Sequence, residues 1–124
     1  AERYNSQLSL VDGIVIPRSY VEPAENVKSV WHLYTVLLDE DVVSRRGEFL
    51  DALRYEEGIE FHLQYKPIYL LSVFAERGYE KGLCPVAEEL FSRLVSLPIY
   101  PNMTDEQVDL VVSGVKAAVR RILD

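Results

Sequence analysis

Val30-Trp31-His32-Leu33-Tyr34-Thr35-Val36-Leu37-Leu38 is the stretch whose reading decides the fold. It is rich in β-branched and aromatic residues, and both of its alternating faces are mostly apolar. A strand reads this way when it lies inside a sheet covered on both sides. Asp39, Glu40 and Asp41 follow as a solvated acidic run that ends it. A helix is then expected over 44–57, with Phe49, Leu50 and Leu53 as its apolar stripe and Gly58 as the left-handed residue that stops it. Residues 59–65 alternate: Ile59, Phe61, Leu63 and Tyr65 on one side, Glu60, His62 and Gln64 on the other. That pattern predicts a half-buried strand with one polar face.

Further out, the signals weaken. Residues 66–83 contain Pro67, Gly78 and Gly82 but are too apolar for a free loop, so a short helix is expected there. Pro85 suits the first turn of a helix over 86–94, where Glu88 and Glu89 favour the positive end of the helix dipole. Residues 97–101 read as a short strand, and Pro98 and Pro101 confine it to a sheet edge. Thr104 and Gln107 spell a capping box. Val108, Val111, Val112, Val115, Val119 and Ile122 then repeat at helical spacing. On the N-terminal side, residues 1–10 read as the tail of a helix with Tyr4 and Leu8 on one face. No cap precedes it, so the chain is expected to begin inside a longer helix. Residues 11–29, with Gly13, Pro17 and Pro23, read as irregular, with a brief extended piece at Val15 and Ile16. The whole predicts an α+β fold: a small, mostly antiparallel three-stranded sheet covered by helices.

Composition bounds the function. The chain has 124 residues, the size of one domain. Its formal net charge is −7 and its pI about 4.8, which argues against nonspecific binding to nucleic acid or to an anionic membrane surface. The single cysteine, Cys84, cannot close an internal disulfide and fits a reducing, cytoplasmic setting. No apolar run approaches the ~20 residues of a membrane span.

The chemistry-bearing residues are sparse. His32 falls in the apolar strand and reads as a structural histidine. His62 points to a polar face, as either a surface group or a site group. Two histidines and one cysteine without closed spacing do not make a zinc site, and no metal is expected. Cys84 precedes Pro85 at a helix start, where a thiol is more readily ionised, although a plain cap neighbour explains it as well. Gln64-Tyr65-Lys66-Pro67-Ile68-Tyr69 places amide, phenol and ammonium groups where a strand turns at a proline. Such exits often carry binding groups, and a decorated turn with its tyrosines on the core is the equal alternative.

Taken together, four stretches resemble the C-terminal domain of the DegT/DnrJ/StrS family of sugar aminotransferases dependent on pyridoxal phosphate. Ala1-Glu2-Arg3-Tyr4-Asn5 looks like the end of the helix joining that family's two domains, and Val30-Trp31-His32-Leu33-Tyr34 like its first small-domain strand. Gly58-Ile59 and Gln64-Tyr65-Lys66-Pro67-Ile68-Tyr69 are similar to the family's Gly-Ile and His-Tyr-x-Pro-Leu-His. Cys84-Pro85-Val86-Ala87-Glu88-Glu89-Leu90 and Leu97-Pro98-Ile99-Tyr100-Pro101-Asn102-Met103-Thr104 are similar to its closing helix and Leu-Pro-x-x-Pro-x-Met-Thr turn.

The resemblance implies a small domain like that of fold-type I transferases over 30–124. Residues 1–29 would be the remnant of the interdomain helix and an irregular linker. It implies a parent enzyme, usually a homodimer, that moves an amino group from glutamate or glutamine to a nucleotide-linked keto-sugar. Pyridoxal phosphate would sit in the part not present here. Lys28, Lys66, Lys81 and Lys116 lack the context of the family's cofactor lysine, so no cofactor and no catalytic residue are expected in this chain, which should be inactive alone. Gln64, Tyr65, Lys66 and Tyr69 are the expected substrate-binding residues. Gln64 and Tyr69 stand where the family has histidines, and neither exchanges protons near neutral pH as imidazole does. The alternatives are a sugar dehydratase or regulator of the same family, and a stand-alone α+β binding module.

Overall fold

The computed structural model describes residues 1–17 and 25–124. The elements run α1 (Glu2–Leu8), β1 (Ile14–Val15), β2 (Tyr34–Leu38), α2 (Glu40–Val43) and α3 (Arg46–Asp51). A wide π turn, Ala52–Glu56, and a 3-10 turn, Ile68–Leu70, come next. The chain then continues through α4 (Ser72–Ala75), α5 (Pro85–Arg93), β3 (Leu94–Leu97) and α6 (Asp105–Leu123). The sheet order is β1-β2-β3, antiparallel throughout, with Ile14 opposite Leu38, and Thr35 opposite Ser96. This is the expected three-stranded α+β architecture, with β2 in the middle. Part of the irregular stretch expected over 11–29, including Pro23, lies outside the described residues.

The long helix forms as its sequence requires. Thr104 accepts from the Gln107 amide at 3.3 Å, and the Gln107 side chain accepts from the Thr104 amide at 2.9 Å. The capping box thereby satisfies donors that a helix start leaves open. All six residues of the apolar stripe are buried, together with Gly114 and Ala118. At Gly114 a Cβ would lie 2.9 Å from Ile59 Cγ1, so the missing side chain is what lets Ile59 pack against α6. α1 lies on α6 as well: Tyr4 and Leu8 are buried, and Asp109 accepts from Arg3 Nε at 2.7 Å and from Gln7 at 2.6 Å.

Four expectations shift. First, β2 starts at Tyr34, not at residue 30, and Trp31 takes a positive φ of 52°. Its partner strand explains the loss: Tyr34 pairs with Leu97, and the next partner residue is Pro98, which has no N–H to donate. Second, the strand expected over 97–101 lies earlier, at Leu94–Leu97, for the same reason. All four of its residues are buried. Third, residues 59–65 make only one bridge, His62 to Ser96, with reciprocal N–H···O bonds of 3.0 and 2.8 Å. The burial alternation survives at Ile59 and Phe61 and ends at Tyr65, which is 64% exposed. Pairing on this edge of β3 is confined to Ser96. Fourth, the acidic run does more than end β2. The Asp39 side chain accepts from the amides of Asp41 and Val42 at 3.1 Å, capping a separate short helix, α2, and the helix expected over 44–57 is found as α3 running directly into the π turn. Gly58 follows that turn at φ 66°, as its position predicted.

Candidate functional site

The two faces of the sheet differ. Tyr34, Val36 and Leu38 are buried, whereas Thr35 and Leu37 are half-buried. Because paired residues share a face, Thr35, Ser96 and His62 form one row across the sheet. Thr35 Oγ1 and Ser96 Oγ are 3.2 Å apart, so Ser96, 2% exposed, is the polar centre of that row with its hydroxyl partnered. A cavity of about 300 Å³ opens over it. His32, Glu60, His62 and Gln64 line it together with Pro98, Ile99 and Tyr100. A shallower depression of about 550 Å³ shares His32 and Tyr100 with it and reaches Trp31 and Pro101.

His32 is therefore exposed, and it lies before β2 and not in an apolar strand, because pairing stops at Pro98. It reaches the same cavity as His62, a meeting that their separation of thirty residues conceals. The position of Pro98, which limits both strands, is the one sequence signal that could have placed it there.

The four expected binding residues divide. Gln64 is half-buried, lines the cavity and donates from Nε2 to the Tyr65 phenol oxygen at 3.2 Å. Tyr65 and Lys66 are exposed where the chain turns into Pro67. Tyr69 is buried. Its hydroxyl donates to Glu88 Oε1 at 2.6 Å and accepts from the Cys84 amide at 3.1 Å, and Glu88 Oε1 also accepts from the Gly82 amide at 2.7 Å. Burial, reinforced by the bond to Glu88, pushes the Tyr69 phenol up to about 12. The bond from Tyr69 in turn holds the Glu88 carboxyl below its ordinary range. Glu88 therefore stays an anion, and Tyr69 a proton donor, across neutral pH.

The four lysines stand apart from the cavity. Lys28, Lys66 and Lys81 are exposed, and Lys116 is half-buried on α6 beside Arg120 and Asp12. The start of α6 is already served by the Thr104 side chain, and no lysine lines the cavity over the Thr35–Ser96–His62 row. Among the described residues no three His, Cys, Asp or Glu side chains are grouped to hold a metal ion. No described helix is long and apolar enough to cross a membrane.

Comparison with known proteins places this arrangement. Residues 1–116 match the model of the DegT/DnrJ/EryC1/StrS aminotransferase family. The protein MJ1066 of Methanocaldococcus jannaschii is 35% identical over 121 residues, covering 96% of this chain and 30% of its own length. The dTDP-3-amino-3,4,6-trideoxy-alpha-D-glucose transaminase of Micromonospora megalomicea subsp. nigra is 32% identical over 76 residues, which is 60% of this chain and 20% of that protein. Among solved structures, the PMP form of Spr1654 from Streptococcus pneumoniae, described as a sugar aminotransferase, superposes with a TM-score of 0.84 at 25% identity. That superposition covers 98% of this chain and 29% of the other. The chain thus spans less than a third of the length of these relatives.

Proposed function

The chain belongs to the DegT/DnrJ/EryC1/StrS aminotransferase family, and from that premise we propose that it forms the small domain of a sugar aminotransferase acting on a nucleotide-linked keto-sugar. The amino donor in this reading is glutamate or glutamine, and the working enzyme is a cytoplasmic homodimer. Residues 30–124 are the domain proper, and residues 1–29 are the end of the connecting helix with its linker. Pyridoxal phosphate supplies the carbanion chemistry of the reaction when bound, and the remainder of the longer polypeptide holds it.

The observation that carries this reading is the groove over the Thr35–Ser96–His62 row. It presents an amide at Gln64, imidazoles at His32 and His62 and a carboxylate at Glu60, in a lining shared with Pro98, Ile99 and Tyr100. Polar groups mixed with apolar and aromatic side chains suit a hydroxylated ring, whose edges hydrogen-bond and whose faces are apolar. Gln64, Tyr65 and Lys66 form the wall that meets the sugar, and Tyr69 closes it. Lys66, an exposed ammonium at the exit, adds a favourable charge for a diphosphate. The role of these groups is to bind and orient, with Gln64 neither giving nor taking a proton.

The chain's surface supports a place within a larger protein. α5 buries none of its residues, and Val86 and Leu90 on it are 74% and 40% exposed. Leu83, just before the helix, is exposed too. Apolar side chains in such number on one segment mark a surface that another body covers.

The test is Gln64→Ala in the full-length protein. Loss of one hydrogen bond to the sugar should raise KM for the keto-sugar roughly three- to tenfold. The cofactor content, read from its visible absorbance, should stay at the wild-type value. An unchanged KM overturns the assignment of the groove.

A further inference from the structure

Glu88 sits in the first turn of α5, twenty-four residues from Gln64 in sequence, and it does not line the cavity. We propose that Glu88 is a positioning residue for the sugar-facing wall, acting through the Tyr69 hydroxyl to hold the 64–69 segment at a set distance from α5. This proposal rests on the reading of the groove given above.

The tie is a closed set of short bonds. One carboxylate oxygen of Glu88 accepts from the Tyr69 hydroxyl at 2.6 Å and from the Gly82 amide at 2.7 Å, and the same hydroxyl accepts from the Cys84 amide at 3.1 Å. The start of the 66–84 connection at Tyr69 and its end at Gly82 are thereby held by Glu88, with Cys84 held in turn by the Tyr69 hydroxyl. Bonds to an ionised acceptor are the stronger kind. Little else holds this connection down, since α4 and α5 bury no residues. Tyr69, 8% exposed, is the one buried hydrophobic residue of this connection.

From Tyr69 the constraint reaches the wall over a short, stiff path. Leu70 N–H bonds Pro67 C=O at 2.9 Å and Leu71 N–H bonds Ile68 C=O at 3.1 Å, closing the 3-10 turn, and Pro67 restricts the backbone just before it. Lys66, Tyr65 and Gln64 precede that turn directly. Where the Tyr69 ring is anchored therefore decides where the Gln64 amide and the Lys66 ammonium stand. The same geometry gives Tyr69 its part in the wall, an inward hydroxyl that anchors rather than one that meets the sugar. A displacement of about 1 Å at such groups is enough to weaken binding and orientation of substrate.

The experiment uses the full-length protein with Glu88→Ala, Glu88→Gln and Tyr69→Phe, reading sugar kinetics and amide hydrogen exchange over residues 66–84. Glu88→Ala and Tyr69→Phe should each raise KM for the keto-sugar roughly five- to tenfold with kcat within about twofold of wild type. Both should speed exchange across the 66–84 segment. Glu88→Gln keeps an oxygen acceptor at the same place and should recover most of both effects. Unchanged exchange and KM in Glu88→Ala overturns the proposal. So does a raised KM in Tyr69→Phe with wild-type exchange, which makes Tyr69 a direct sugar contact. Should the wild-type protein turn over no nucleotide sugar, the groove reading fails, while exchange in Glu88→Ala still decides whether the tie positions the segment.

Discussion

α5 and α6 are the two amphipathic helices of the C-terminal half, and they are held in opposite ways. α6 buries eight residues and contributes the largest share of the core. α5 buries none, yet it is fixed at both ends by polar ties. At its start Glu88 gathers Tyr69 and Gly82. At its end Arg46 donates to the carbonyls of Phe91 and Leu94 at 3.3 and 3.0 Å, and Arg93 Nε donates to Leu38 O at 2.7 Å. Arg46 takes up carbonyls that a helix C-terminus leaves unpaired, and Arg93 ties the helix end to β2. Burial of apolar area stabilises without regard to direction, whereas hydrogen bonds fix position at modest net gain. α6 is thus built to hold the domain together, and α5 to be held in place while its apolar side stays available.

The sharpest way to break this comparison is to place a charge on each helix. Val115, fully buried on α6, becomes an unpaired buried carboxylate in Val115→Asp, and the loss should exceed about 4 kcal/mol, abolishing cooperative unfolding in a denaturant titration.

A smaller effect tests the ion pair joining α1 to α6. Bonds from Arg3 and Gln7 hold the Asp109 carboxyl down to about 2, from 3.8. A depressed carboxyl stabilises the fold above its unfolded value, and that contribution is lost as pH falls through the folded value. Acid unfolding followed by circular dichroism should therefore contain a component between about pH 4 and pH 2. Asp109→Asn should remove that component and leave stability near pH 2 unchanged. An identical acid limb in the variant would show that Asp109 does not hold α1 to α6.

The smallest effect belongs to α5. Val86→Asp, at a position 74% exposed, should alter the stability of the 124-residue chain by no more than about 0.5 kcal/mol. The same change in the full-length protein should cost more, because the proposed cover lies on that face. Equal, negligible losses in both would leave α5 without a partner.

How much of this was legible differs by element. The capping box at Thr104 and Gln107 and the six-residue stripe behind it were readable because both signals are local and lie within one helix. Gly58 was readable for the same reason. β2 was legible as the central strand but not in its length, since Pro98, sixty-four residues after Tyr34, decides where its pairing stops. The alternation of Ile59, Phe61 and Leu63 was real as a burial pattern, yet periodicity does not reveal how many residues a neighbouring strand offers for pairing. In the site, the Gln64–Tyr69 segment stood out by its residue types. The joining of His32 to His62, and of Tyr69 to Glu88, did not.

The amino-acid sequence by itself determined the α+β class, the family, the long C-terminal helix and the segment on which a substrate wall was to be sought. Each depends on residue types at fixed short spacing, which dihedral preferences and hydrophobic periodicity translate directly into local structure. Only the tertiary structure decided which apolar stripe is buried and which is left open, which histidines share a cavity, and that the Tyr69 hydroxyl is spent on a carboxylate of α5. Those outcomes depend on which distant segments the packed sheet brings within the few ångströms over which hydrogen bonds and apolar contacts act.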